Sequence, residues 1–325
     1  MSENLLEIKN LSIHFKTFFG LLKAVRNIDL EIKPKEIVGL VGESGCGKSI
    51  TARSILRLLK TPPAIIPNGD FIFEGKYLNR LSTEEMREIR GKAISMIFQE
   101  PMTSLNPVFK VGDQVAEALL THGRLSKEEA ARQVTAVFKS VGIPDAERRY
   151  DVYPHQLSGG LRQRVMIAMA LICHSKLLIA DEPTTALDVT IQSQILDLIG
   201  ESKDRYDMSV LLITHDLGVI SEVADRVYVM YAGKVVEENT VEKLLNRPGH
   251  PYTEGLIQSI PRLDLPHRKG MRLNTLSGKV PELYEIPKGC PFSDRCLKVM
   301  PICHEEDPEL KRIEPDTQVA CWLYR

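Results

Sequence analysis

The sequence predicts an α/β fold with buried parallel strands, and three observations carry the expectation. Continuous apolar runs recur at Glu36–Val41, Lys176–Ala180 and Ser209–Thr214, each too short for a helix and without the polar alternation of a half-solvated strand. Helical patterns stand between them, at Ser49–Leu59 and Ile191–Ser202. The first run ends in a glycine-rich turn that opens directly into a helix, giving strand, loop and helix in order.

Further elements follow along the chain. Arg226–Tyr231 and Lys234–Glu237, joined through Ala232 and Gly233, read as a hairpin on the same core. Between Gln99 and Gly159 the pattern turns helical, with Val111–Leu120 and Ser126–Val141 amphipathic, so an inserted helical subdomain is expected over about residues 100–165. Past about residue 245 the density of proline and charge rises and periodicity fades. A boundary is therefore placed there, separating residues 1–245 from an irregular extension, 246–325.

Composition narrows the function classes. A length of 325 residues suggests about two units, or one domain with an appendage. With 43% hydrophobic and 26% charged residues, the chain is an ordinary globular mixture. The 42 Lys and Arg against 43 Asp and Glu leave no global basic field, so no nucleic-acid partner is expected and a membrane would be met only locally. The longest apolar run, Val165–Cys173, is far short of the roughly 18 residues that span a bilayer. The opening MSENLLEIKN lacks a basic region leading into an apolar stretch, which points to the cytosol.

Gly42-Glu43-Ser44-Gly45-Cys46-Gly47-Lys48-Ser49 fits G-x-x-x-x-G-K-[ST] in the strand-to-helix context that the motif requires. Glycines let successive N–H groups turn inward around a β-phosphate. The helix N-terminus adds its positive end, Lys48 neutralises β/γ charge, and the Ser49 hydroxyl ligates Mg²⁺. Cys46 fills a free position and reads as a spacer. Asp181 and Glu182 end the next buried strand, where one carboxylate would serve the magnesium ion and the other would polarise a water. An acidic doublet at a strand end is usually just solvated, so the pair needs company.

That company is Leu157-Ser158-Gly159-Gly160-Leu161 followed by Arg162-Gln163-Arg164, then Asp181-Glu182-Pro183-Thr184-Thr185-Ala186-Leu187-Asp188, then Thr214-His215-Asp216. In this order the segments resemble the ATP-binding cassette (ABC) family, over about residues 5–245. The resemblance implies an ABC nucleotide-binding domain with a mixed β core. Phe15 would stack on adenine, and Gly42, Ser44, Gly45, Cys46, Gly47, Lys48, Ser49 and Ile50 would surround the phosphates. Gln99 would touch Mg²⁺ or the attacking water, and Asp181 would hold Mg²⁺ together with Ser49. Glu182 would act as general base, with His215 at the γ-phosphate. Ser158, Gly159 and Gly160, with Asp188 of the D-loop, would close over the nucleotide of an opposite subunit. Two departures stand out: Leu161 replaces a common Gln, and Phe15 stands where Tyr is frequent.

Of six cysteines, Cys46 and Cys173 stand alone, while Cys290, Cys296, Cys303 and Cys321 crowd into the C-terminal end with 5, 6 and 17 residues between them. No C-x-x-C pair occurs, so spacing leaves zinc, an iron–sulfur cluster and reduced core thiols all open. Arg247-Pro248-Gly249-His250-Pro251-Tyr252-Thr253 and C-P-F-S-D-R-C resemble the extension of oligopeptide and dipeptide permease ATPases. That resemblance implies a [4Fe–4S] cluster on the four cysteines, zinc being the alternative; Trp322, beside Cys321, reads either as packing over the site or as an anchor at an interface. Val152–Gln156 and Glu100–Pro107 resemble the same branch, the latter where a membrane subunit would dock.

The resemblance thus implies a peripheral ATPase on the cytoplasmic face of the membrane that drives peptide import. Its partners would be a second, paralogous ATPase or a second copy of this chain, two integral membrane permease subunits and, indirectly, an external peptide-binding protein. A nickel or other small-solute importer is the alternative. A soluble cassette protein of DNA repair or translation is disfavoured by the single cassette, and a non-hydrolysing binding module by Glu182 and His215.

Overall fold

The structure, a computed structural model, describes residues 3–99, 104–123, 125–185, 187–260 and 276–324. Of the expected features, Glu100 to Thr103 of the docking stretch, Ala186, and Pro261 and Pro266 of the extension lie outside the described residues. The chain forms two compact units, one of Met1–Ile32, Ile37–Asn79 and Thr214–Arg325, the other of Lys33–Glu36 and Arg80–Ile213.

The first unit opens on an antiparallel sheet of β1 (Leu6–Thr17), β2 (Gly20–Ile32), β4 (Ala64–Phe73) and β5 (Lys76–Tyr77), ordered β2-β1-β4-β5. Leu6, Ile8, Leu11, Ile13, Leu30, Ile32, Phe71 and Phe73 bury its inner face. The sequence does not announce these strands, because bulges break their alternation. Register slips between Ile8 and Leu11 and again between Leu11 and Ile13. Asn10 and Asn27 take up the left-handed backbone there, with φ 51 and 48, a conformation that asparagine tolerates. The carboxylate of Asp29 accepts the Asn10 N–H at 2.8 Å, and the Ser12 hydroxyl accepts that of Asn27 at 3.1 Å.

The same unit holds β3 (Ile37–Val41), β9 (Arg226–Tyr231) and β10 (Lys234–Thr240). β3 runs parallel to β9, with Val38 opposite Arg226 and Val41 opposite Val229, and β9 runs antiparallel to β10. The expected hairpin is present and longer than its apolar stretch suggests. Its two turn residues, Ala232 and Gly233, both have positive φ, the twist-matching geometry of a two-residue hairpin. The extension is less irregular than expected. It supplies a helix at Pro251–Gln258 and a hairpin of β11 (Lys311–Glu314) and β12 (Thr317–Val319), and β12 pairs with β10 through Glu237–Val319 and Glu238–Gln318.

The second unit contains β6 (Ile94–Ile97), β7 (Leu177–Asp181) and β8 (Ser209–Thr214), parallel in the order β8-β7-β6. Every residue of β7 and β8 is buried, which is why both read as continuous apolar runs. The helices Val111–His122 and Lys127–Ser140 follow β6 and pack with Gly159–Leu171. Ser126 and Glu129 close a reciprocal capping box at the second helix, and Val134 and Phe138 on its inner face are fully buried.

Candidate nucleotide-binding and catalytic site

In the first unit, β3 delivers the chain into Gly42–Gly47, and the helix Lys48–Ile55 follows, ending earlier than the expected Leu59. Gly42 has φ 153, and a Cβ there would lie 2.2 Å from the Met230 carbonyl oxygen. At Gly47, φ is 108 and a Cβ would lie 2.7 Å from the Ala24 carbonyl oxygen. Only glycine fits either place. Gly47 is also the helix N-cap and has no side chain with which to cap the first-turn amides, so the positive helix end is left for an anion.

Lys48 folds over this loop, nearly buried, its Nζ donating to the carbonyls of Gly42 at 2.7 Å and Glu43 at 3.1 Å. Burial raises the Cys46 thiol, and Lys48 beside it pulls only part of the way back. The thiol is therefore not a poised nucleophile, as the spacer reading requires. Ser49 and Ile50 are half-buried on the first helical turn, with Ser44 and Gly45 exposed before it. Phe15 lies within β1, half-buried opposite Leu22 and Ala64. His215 is exposed directly after β8, where Asp216 caps the next helix by accepting from Gly218 N–H at 2.7 Å.

The second unit brings Gln99, Asp181, Glu182 and Thr185 together. Asp181 is fully buried as the last residue of β7. Glu182 turns the chain with φ 49, a left-handed backbone that costs a non-glycine residue about 1–3 kcal/mol. Its N–H donates to the Ile213 carbonyl at 2.9 Å. Its Oε2 accepts from Gln99 Nε2 at 2.9 Å and from Thr185 Oγ1 at 2.8 Å. Thr185 is a site residue that sequence reasoning missed; its place three residues past Glu182 was the only signal.

In the same unit Ser158 caps the helix Gly159–Leu171, its Oγ accepting from Leu161 N–H. Ser158 and Gly159 are exposed, and a Cβ on Gly159 would meet nothing within 4 Å. Gln163, buried one turn on, donates to the Pro183 carbonyl, tying this helix to the segment after Glu182. Asp188 is exposed and caps the helix Val189–Tyr206 through Ile191 N–H at 3.0 Å.

The four clustered cysteines lie in the first unit and none forms a disulfide. Cys290 and Cys303 are buried, with Cys290 N–H donating to the Cys303 carbonyl at 2.7 Å, while Cys296 and Cys321 are half-buried. Burial pushes the Cys290 thiol up to about 12, and Cys303, Asp307 and Cys321 add to the push. Cys296 and Cys321 are raised by burial too, and each also feels Cys303. Among the described residues no three His, Cys, Asp or Glu side chains gather as a site for a single metal ion. Trp322 donates from Nε1 to the Glu306 carbonyl at 2.9 Å, and Lys311 sits over its ring.

Among the described residues no helix is long and apolar enough to cross a membrane. The ABC transporter family model matches residues 25–185, and that of the oligopeptide/dipeptide transporter C-terminal region matches residues 236–303. The chain is 51% identical over 321 residues to the dipeptide transport ATP-binding protein DppD of Bacillus subtilis, covering 99% of this chain and 95% of that one. It is 48% identical over 319 residues to the oligopeptide transport ATP-binding protein OppD of the same organism, covering 98% and 88%. The dimeric, ADP- and phosphate-bound ATP-binding cassette MJ0796 covers 73% of this chain and 98% of its own, at 29% identity and a TM-score of 0.66. With the phosphate loop, the buried carboxylate strand and a peptide-transporter C-terminal region in one chain, this protein belongs to the ATP-binding subunits of the dipeptide/oligopeptide branch of ABC transporters.

Proposed function

We propose that this chain is the ATP-hydrolysing motor subunit of a dipeptide or oligopeptide importer. The observation that carries the reading is the near-full-length identity to peptide-transport ATP-binding proteins, which extends through the C-terminal region as well as the cassette. The C-terminal match is what favours peptides over nickel or another small solute.

Gly42 to Ile50 cradle the phosphates, with Lys48 moving from its carbonyl partners to β/γ oxygens, and Phe15 takes the adenine face. Ser49, Gln99 and Asp181 are the residues that would serve Mg²⁺, which would supply charge neutralisation on the phosphate oxygens. A fully buried carboxylate such as Asp181 suits a cation partner. Glu182 accepts the proton of a water whose oxygen bonds to the γ-phosphorus, as the bond to the bridging oxygen of ADP breaks. Gln99 and Thr185 fix its carboxylate, and His215 orients the terminal phosphate. Ser158, Gly159, Gly160 and Asp188 serve the nucleotide of the opposing ATPase. The open space around Gly159 suits an approach by another subunit. Two permease subunits convert this ATP-driven dimerisation into transport at the cytoplasmic face of the membrane, with peptide delivered by an external binding protein.

We read Cys290, Cys296, Cys303 and Cys321 as ligands of a [4Fe–4S] cluster. The support is the match of residues 236–303 to the oligopeptide/dipeptide transporter C-terminal region and the presence of four cysteines, none of them in a disulfide, which is the complement of thiolates such a cluster takes; zinc is the alternative. Bound iron would oppose the burial that holds the Cys290 thiol protonated. When bound, the cluster supplies iron–thiolate bonds that fix a proline-rich extension.

The test is peptide uptake in cells deleted for this chain. Uptake should return with the wild-type protein and not with Lys48→Ala. Recovery by Lys48→Ala, or restored transport of nickel alone, would overturn the reading.

A further inference from the structure

The phosphate loop and the cysteine-bearing segment belong to one compact unit, and an ion pair between residues 252 positions apart joins them. Arg295 stands immediately before Cys296. Its Nη1 donates to Glu43 Oε2 at 2.7 Å and its Nη2 to Glu43 Oε1 at 2.9 Å, the two parallel bonds of an arginine fork. Nη1 also donates to the Tyr231 hydroxyl at 3.2 Å and Nε to the Ser277 carbonyl at 3.0 Å. The Arg295 side chain is only 4% exposed, its guanidinium within 6 Å of the Tyr231 and Phe292 ring centres.

Glu43 is held at its backbone as well. The hydroxyl of fully buried Tyr252 accepts its N–H at 2.9 Å. Tyr252 and Phe292 pack with Tyr231 at centroid distances of 4.6 and 5.3 Å, a contiguous aromatic block between the loop and the cysteine segment. Glu43 is the residue just after Gly42, and its carbonyl is one of the two on which Lys48 Nζ rests. The C-terminal extension therefore grips the phosphate loop where the loop leaves β3.

We propose that Arg295 is a positioning residue for nucleotide binding, and that through Glu43 it couples the order of the cysteine-bearing segment to the affinity of the phosphate loop. This rests on Gly42–Ser49 being the nucleotide cradle and holds whether or not iron occupies the cysteines. Breaking one side of the pair leaves a nearly buried guanidinium uncompensated, and lysine does not reproduce the fork. Linkage makes the effect reciprocal: nucleotide must order the segment by the same factor by which the segment favours nucleotide.

The experiment uses the full chain, titrated with MgATP and followed by hydrogen exchange over residues 290–303. Arg295→Gln and Glu43→Gln should each weaken MgATP binding about five-fold or more. The double variant should be no weaker than the worse single variant, because the second change finds no partner left to lose. MgATP should slow exchange at 290–303 in the wild type and not in Arg295→Gln. Wild-type affinity in both single variants, additive losses in the double, or equal protection with and without Arg295 would each overturn the proposal. If Arg295→Gln does not fold, Arg295→Lys carries the test, and it too should bind more weakly; full affinity there overturns the fork. A wild-type chain that fails to bind MgATP sinks the nucleotide reading itself, whereas normal wild-type binding with unaffected variants sinks this inference alone.

Discussion

Gln99 Nε2 and Glu182 Oε2 lie 2.9 Å apart, and the same carboxylate oxygen accepts the Thr185 hydroxyl at 2.8 Å. The carboxylate thus accepts from both side chains, on a residue whose left-handed backbone already departs from the strand. Such placement suits a base whose orientation matters more than its mobility. Glu182→Gln keeps the shape and removes the proton acceptor. Hydrolysis should fall by about 10²–10⁴-fold while MgATP binding persists. Single-turnover assays with radiolabelled ATP would show it, and ordinary turnover would take the role of base from Glu182.

Thr185 gives a graded version of the same test. Thr185→Val removes the hydroxyl donor and leaves Gln99 in place. One hydrogen bond of about 1 kcal/mol corresponds to a roughly five-fold lower kcat with KM little changed. A loss confined to KM would assign Thr185 to substrate binding rather than to orientation of the base.

How far the sequence reveals this site depends on burial and on separation along the chain. β7 and β8 are legible because every residue is buried, so their apolar runs stand clear of the helices around them. β1 and β2 are not, because Asn10 and Asn27 insert bulges and shift the residues that face the core. The hairpin of Lys311–Val319 is mostly polar, and its strand character comes from pairing with β10, a tertiary fact. The phosphate loop is legible because its glycines are forced by close backbone contacts at Met230 and Ala24. The partnership of Glu43 with Arg295 is invisible to any local pattern.

The cysteine segment makes a chemical prediction. Burial raises the Cys290, Cys296 and Cys321 thiols, so these should lose their protons to a strongly binding metal centre. Protein purified without oxygen should be brown, with iron and sulfide in equal amounts. Cys290→Ser should lose the colour and become more sensitive to proteolysis around residues 290–303. A colourless protein carrying stoichiometric zinc would overturn the iron–sulfur assignment.

His250 predicts how stability responds to acid. It is fully enclosed against Phe292, its Nδ1 accepts the Tyr252 N–H at 3.0 Å, and burial lowers its pKa from 6.5 to about 3. Glu237, also buried, accepts the N–H groups of Gly249 and His250, both at 2.8 Å, and those bonds do not need a charged imidazole. A depressed histidine is neutral in the folded chain while the unfolded chain takes up the proton, so the folded state is favoured above about pH 6.5 and loses that advantage as pH falls toward 3. Each pH unit inside that window removes about 1.4 kcal/mol. His250→Asn keeps a cap acceptor for Tyr252 and cannot titrate. Urea unfolding between pH 7 and 5 should therefore show a shallower loss of stability in the variant by about one proton, whatever its absolute stability. Parallel slopes would mean that His250 is solvated and charged in the folded protein, and that the wall between the phosphate loop and the cysteine segment is more open than its packing implies.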